Sequence, residues 1–178
     1  DFSPICTTEI IGLAKADTYF KKINTELIGI SVDSLNSHLA WLYDIYLKTG
    51  LIVNFPIIAD QNGVIARKYG MISNDVSSTE TVRNIFIIDD KGIIRSIFVY
   101  PMNIGRYIPE ILRTVTALQY SDQNNCMTPA NWSPGNPMIV PPPKTFNALR
   151  ERNESINKNR NGMCWYLSFK NPETKKLE

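Results

Sequence analysis

Between residues 27 and 118, short apolar runs alternate with amphipathic helical segments, an order that restricts the chain to an α/β layer. Leu27-Ile28-Gly29-Ile30-Ser31-Val32 is continuous and apolar, as expected of a strand covered on both faces. Asp33 and Ser34 each suit the cap of a following helix, which His38, Leu39, Trp41, Leu42 and Ile45 carry to about Lys48. Gly50 fits its C-terminal stop. Phe55-Pro56-Ile57-Ile58-Ala59 predicts a second strand, with Pro56 near the start, where a missing N–H is tolerable. A short helix over 64–69 ends at Gly70. Two more strands, 82–88 and 93–100, flank Asp89-Asp90-Lys91-Gly92, a strong hairpin signal. An amphipathic helix over 107–118 follows. Helices between the early strands and a late antiparallel hairpin predict a mixed central sheet.

Ahead of this array, Asp1-Phe2-Ser3-Pro4-Ile5-Cys6-Thr7-Thr8-Glu9 places a cysteine where a turn becomes a helix. Ile10, Ile11, Leu13, Ala14 and Phe20 recur at helical spacing behind it. A helix start presents unpaired N–H groups and the positive end of the macrodipole, so a thiolate at Cys6 is favoured over the thiol. Ser3 and Thr7 are candidate capping hydroxyls, and Glu9 is read as a first-turn charge. The same residues also fit a buried structural cysteine.

Bulk properties exclude several classes. A chain of 178 residues with 43% hydrophobic and 20% charged content is an ordinary soluble globule. A net charge of +2 is too small to imply nucleic acid or an acidic membrane as partner, and no apolar run is long enough to span a bilayer. Three scattered cysteines make no secreted disulfide framework, and no Cys-x-x-Cys pair is present. A reducing, cytoplasmic setting is expected, with no metal and no cofactor. The sole histidine, His38, is read as solvated or edge-packed on the polar side of its helix. The chain lacks a starting methionine and begins inside its own best motif, as a fragment would.

From about Gln119 the composition changes. Asn124, Asn125, Pro129, Asn131, Pro134, Gly135, Pro137 and Pro141-Pro142-Pro143 suit an extended arm rather than long helix or central strand. A division into 1–120 and 121–178 follows. Residues 145–153 predict a short helix, and Trp165, Tyr166, Leu167 and Phe169 an apolar cluster that is buried.

Ser3-Pro4-Ile5-Cys6 resembles the end of the peroxidatic motif of peroxiredoxins, Pro-x-x-x-Thr/Ser-x-x-Cys. Colinear landmarks extend the likeness: Ser31-Val32-Asp33-Ser34 with His38-Leu39-Ala40-Trp41, then Phe55-Pro56-Ile57-Ile58-Ala59-Asp60, then Thr81-Val82-Arg83-Asn84-Ile85-Phe86-Ile87-Ile88-Asp89. Tyr100-Pro101, Gly105-Arg106, Thr128-Pro129-Ala130-Asn131-Trp132 and Val140-Pro141-Pro142-Pro143 make it similar to the one-cysteine, long-armed branch of the alkyl hydroperoxide reductase and thiol-specific antioxidant superfamily.

The resemblance implies a thioredoxin-like fold and a thiol peroxidase acting on hydrogen peroxide and alkyl hydroperoxides. It implies that Cys6 is the peroxidatic cysteine, cycling through a sulfenic acid, and that Ser3 and Arg83 attend the same reaction. Arg106 resembles a second arginine near the substrate pocket. Cys164 lies in the neighbourhood of cysteines that resolve the peroxidatic residue in some members, although Ser168 occupies the matching register. Without such a partner, recycling needs an external thiol. A homodimer or ring of dimers, with the arm crossing onto the neighbouring subunit, is also implied. The family's β-structured beginning is missing from this sequence, so residues 1–178 alone are expected to fold poorly. Two competing readings stand beside the peroxidase: a non-catalytic relative serving as an interaction or chaperone-like module, and a disulfide oxidoreductase.

Overall fold

The computed structural model describes residues 1–72 and 82–171, so Thr81 of the family-like run lies outside the described residues. The chain divides into two compact units, Asp1–Leu112 and Arg113–Glu178.

The first unit opens with helix α1 (Pro4–Lys22). Ser3 occupies its N-cap with extended backbone, and Pro4 takes the first turn, where its fixed φ suits the helix and its missing N–H costs nothing. The expected caps differ. The Ser3 side chain makes no capping bond, and Thr7 Oγ1 donates back to the Ser3 carbonyl at 2.8 Å. Glu9 lies beyond the first turn, because Pro4 starts the helix immediately after Ser3.

Strand β1 (Gly29–Ser31) pairs in parallel with β2 (Ile57–Ala59), Gly29 opposite Ile57 and Ser31 opposite Ala59. The run around β1 is not covered on both faces: Ile28 remains 66% exposed. A continuous apolar run records the capacity for burial, and the described residues supply β1 with only one strand neighbour. Helix α2 (Leu35–Thr49) is capped by Ser34, whose Oγ accepts from the Ser37 amide at 3.1 Å. It stops at Gly50, left-handed at φ 71° as a C-cap requires. Phe20, Trp41, Ile45, Phe55, Ala66 and Met71 are buried in this unit.

Helix α3 (Val64–Lys68) is held by Asp60, whose Oδ2 accepts from the Ala66 amide at 2.7 Å. That bond, with help from the Ile65 and Val64 amides, keeps the Asp60 carboxyl below the usual range against the opposing effect of desolvation. A carboxyl depressed by folding stabilises above its unfolded value of 3.8 and loses that contribution as pH falls through the lower folded one. Asp60→Ala is therefore expected to melt lower at neutral pH, with the gap to the parent narrowing below about pH 4. Parallel melts across that range check it.

Strands β3 (Arg83–Ile88) and β4 (Ile94–Tyr100) form the expected antiparallel hairpin, with Arg83 opposite Tyr100 and an irregularity at Ile87/Ile88. Asp89 Oδ1 accepts from the amides of Lys91 (3.0 Å) and Ile93 (2.9 Å), closing the turn. Where one mixed central sheet is expected, the described residues form two separate ladders, β1-β2 parallel and β3-β4 antiparallel.

Helix α4 (Ile108–Asn124) crosses the boundary between the units and runs past the expected end at 118. Polar residues alone do not stop a helix; Asn125, left-handed at φ 48°, does. In the second unit Trp132 is 1% exposed, tilted against the Tyr120 ring, with its carbonyl bonded by Arg113 and its indole N–H donated to the Asn136 carbonyl. Helix α5 (Phe146–Asn159), capped by Thr145, is also longer than read. A small antiparallel sheet, unanticipated from sequence, follows the order β5 (Met138–Ile139), β7 (Leu167–Lys170), β6 (Gly162–Cys164). Trp165 and Tyr166 form the turn between β6 and β7 and stay 37% and 57% exposed, so the cluster read as buried is buried only in part.

Candidate active site

Cys6 sits in the first turn of α1, half-buried and with a free thiol. The first intrahelical bond runs from the Thr7 amide to the Ser3 carbonyl at 2.9 Å, so the amides of Ile5 and Cys6 precede the helical ladder. Opposite the sulfur stands Arg83, the first residue of β3. Its Nη1 donates to Cys6 Sγ at 3.2 Å across a separation of 77 residues. Its Nε donates to the Met102 carbonyl at 2.9 Å, which fixes the plane of the guanidinium. Arg83 is only 4% exposed.

A permanently charged group so deeply buried needs a counter-charge. Glu9, 5% exposed and on the same face of α1 as Cys6, supplies it. Glu9 Oε2 accepts from Arg83 Nη1 at 3.2 Å and from Arg106 Nη1, while Oε1 accepts from the Arg106 backbone amide at 2.8 Å. Arg106 Nη2 reaches the Asn84 carbonyl at 3.1 Å. Two guanidinium groups around one carboxylate leave a net positive charge beside the sulfur. That surplus is placed to stabilise negative charge that develops on an oxygen leaving the sulfur.

The sequence-derived residues thus meet: Cys6, Arg83 and Arg106 share one network, and Ser3 adjoins it as the N-cap, its hydroxyl not spent on the helix. Glu9 was missed as a site residue. Its spacing three residues after Cys6, which places both on one helical face, was the available signal. His38 corrects its reading. It is 2% exposed, with Nδ1 against the Asp1 carboxylate, because α2 packs that side inward. Cys164 lies in β6 of the second unit, half-buried, where its sulfur partners the Tyr166 hydroxyl and raises that phenol above its usual value. Cys126 is buried in the same unit, and Ser168, 1% exposed, accepts from Arg152 at 2.8 Å.

Known proteins resemble this chain along most of its length. Residues 1–97 match the AhpC/TSA family, and residues 117–155 match the C-terminal domain of 1-Cys peroxiredoxin. Peroxiredoxin 2 of Caldanaerobacter subterraneus subsp. tengcongensis is 50% identical, over 96% of this chain and 76% of that protein. Peroxiredoxin 2 of Sulfurisphaera tokodaii is 48% identical, over 96% and 79% respectively. Among solved structures, the yeast mitochondrial 1-Cys peroxiredoxin, described as resolved via glutathione/thioredoxin systems, superposes with TM-score 0.80 at 36% identity, covering 96% of this chain and 82% of that one. A cysteine-to-serine mutant of peroxiredoxin 6 of Arenicola marina gives TM-score 0.81 at 30% identity, covering 98% and 83%. With both segments matched and relatives this similar along nearly its whole length, the chain belongs to the AhpC/TSA family as a one-cysteine peroxiredoxin on a thioredoxin-like fold, a thiol-dependent peroxidase.

Proposed function

We propose that Cys6 is the peroxidatic sulfur, that Arg83 and Ser3 hold the peroxide, and that Arg106 adds a second guanidinium to the substrate pocket. The observation that carries this reading is the 3.2 Å contact between Arg83 Nη1 and Cys6 Sγ. The thiolate attacks one oxygen of hydrogen peroxide or an alkyl hydroperoxide. An S–O bond forms as the O–O bond breaks, and the departing oxygen leaves as water or an alcohol after taking a proton. Charge moves from sulfur to that oxygen during the step, and Arg83 reaches the sulfur from which it departs. Donors fixed before the reaction need no reorganisation as charge moves, which is where such sites gain most of their rate. Cys6 is left as a sulfenic acid.

An external thiol then attacks the sulfenic sulfur, releasing water and forming a mixed disulfide, and a second thiol frees Cys6. The yeast relative's glutathione and thioredoxin systems support a small or protein thiol in this role. A cytoplasmic homodimer or ring of dimers, with residues 121–178 as the dimerisation arm, completes the proposal. No helix among the described residues is long and apolar enough to cross a membrane.

Mass spectrometry after one equivalent of hydrogen peroxide, without thiol, tests the chemistry. The Cys6 peptide is expected to gain one oxygen, which dithiothreitol then removes. A Cys6–Cys164 disulfide, lighter by two hydrogens, would instead make Cys164 the resolving thiol. Oxidation of Cys126 or Cys164 with Cys6 untouched sinks the assignment.

A further inference from the structure

Helix α2 reaches the segment around Cys6 from two points about one turn apart. Trp41 Nε1 donates to Thr7 Oγ1 at 3.1 Å, and His38 Nδ1 lies 2.9 and 2.8 Å from the two carboxylate oxygens of Asp1. On the helix side Trp41 is 4% exposed, and the Asp1 side chain is 1% exposed. An ionised carboxylate can only accept, so Nδ1 carries the proton in this contact. The other ring nitrogen, Nε2, is buried with no hydrogen-bond partner among the described residues. Leaving a buried nitrogen unsatisfied is unfavourable, so the imidazole sits here at a cost. What it obtains is the grip on Asp1.

The backbone beside Asp1 explains what that grip does. Phe2 has φ 55°, a left-handed conformation that a bulky residue rarely adopts. Its side chain is largely exposed, so its own packing does little to keep it there. Such strain persists only where the surroundings over-determine it. The two flanks are the anchors. Asp1 is held through its carboxylate by His38. Ser3 is held through its carbonyl by Thr7, which Trp41 holds in turn. Phe2 converts the position of Asp1 into the direction in which Ser3 enters α1.

We propose that His38 is a positioning residue for the peroxidase reaction: by fixing the Asp1 carboxylate it keeps Phe2 left-handed and so aims Ser3 and the Cys6 turn. The proposal rests on Cys6 being the attacking sulfur and Ser3 a peroxide contact. It places no reacting atom on His38.

The test pairs two rates in the intact protein. One is kcat/KM for hydrogen peroxide with dithiothreitol. The other is alkylation of the Cys6 peptide by iodoacetamide, which needs a reactive sulfur but no oriented O–O bond. His38→Leu is expected to lower kcat/KM about ten- to a hundredfold while alkylation changes less than about twofold, the signature of misplacement rather than lost nucleophilicity. His38→Asn, whose amide N–H can stand near the Nδ1 position, should return kcat/KM to within about threefold of the parent. A His38→Leu protein with the parent's kcat/KM overturns the proposal, as does His38→Asn being equally slow. If His38→Leu does not fold, Asp1→Ala decides: a tenfold or greater loss (about 1.4 kcal/mol) supports the proposal and an unchanged rate overturns it. Full activity in Cys6→Ser would strike the assignment of the sulfur itself, and so is told apart from failure at His38.

Discussion

Cys6→Ser is expected to lower peroxide consumption by more than about a thousandfold, which corresponds to at least about 4 kcal/mol of transition-state stabilisation. The substitution removes one polarisable atom and leaves its surroundings in place. Pro4 still starts α1 behind the Ser3 N-cap, and Arg83 is still held by Met102 and Glu9. A serine hydroxyl at this position stays protonated near neutral pH, so the anion that attacks the O–O bond is lost while the donors that would receive the charge remain. Cys126 and Cys164 persist in the variant, so whatever consumption survives measures those thiols. Circular dichroism establishes that the variant folds. Equal rates in parent and variant would leave the enzyme without its proposed nucleophile.

Arg83→Met should be the second most damaging change. Removing one preorganised, charge-assisted donor from a water-poor site costs about 10²–10³ in rate. In the proposed mechanism Arg83 supports the moving charge, so the loss should fall on kcat/KM for peroxide and much less on alkylation of Cys6 by iodoacetamide. Arg83→Lys keeps the charge but cannot serve Met102, Glu9 and the sulfur at once, so an intermediate rate is expected. Stability is a separate matter. Glu9 retains Arg106 in these variants, so the buried carboxylate is not stranded. A parent-like kcat/KM in Arg83→Met would remove the guanidinium from the mechanism.

Local order was legible in the chain because local physics dictates it. Ser34 and Gly50 bracket α2 with a hydroxyl acceptor and a left-handed stop, and Asp89 to Gly92 folds the hairpin by its own side-chain bonds. The meeting of Cys6 and Arg83 was not legible in that way. Two residues 77 apart are joined by topology, and only the resemblance to a family anticipated it. Glu9 shows the boundary clearly: helical spacing put it beside Cys6, but its burial depends on two arginines delivered from elsewhere. His38 was misread for a similar reason, since a helical wheel cannot show that Asp1 waits on its supposedly wet side. The β5-β7-β6 sheet escaped because strands of two to four residues carry too little alternation to stand out.

The sharing of one Arg83 nitrogen between Sγ and Glu9 also bears on how the enzyme wears out. A sulfur driven on to the sulfinate becomes a two-oxygen anion, an acceptor well matched to a guanidinium fork. In the proposed mechanism, the arginine that assists turnover would then also neutralise the spent product and hold it in place. Inactivation under oxidant excess would then be an exchange of ionic partners around Arg83, with Glu9 keeping Arg106.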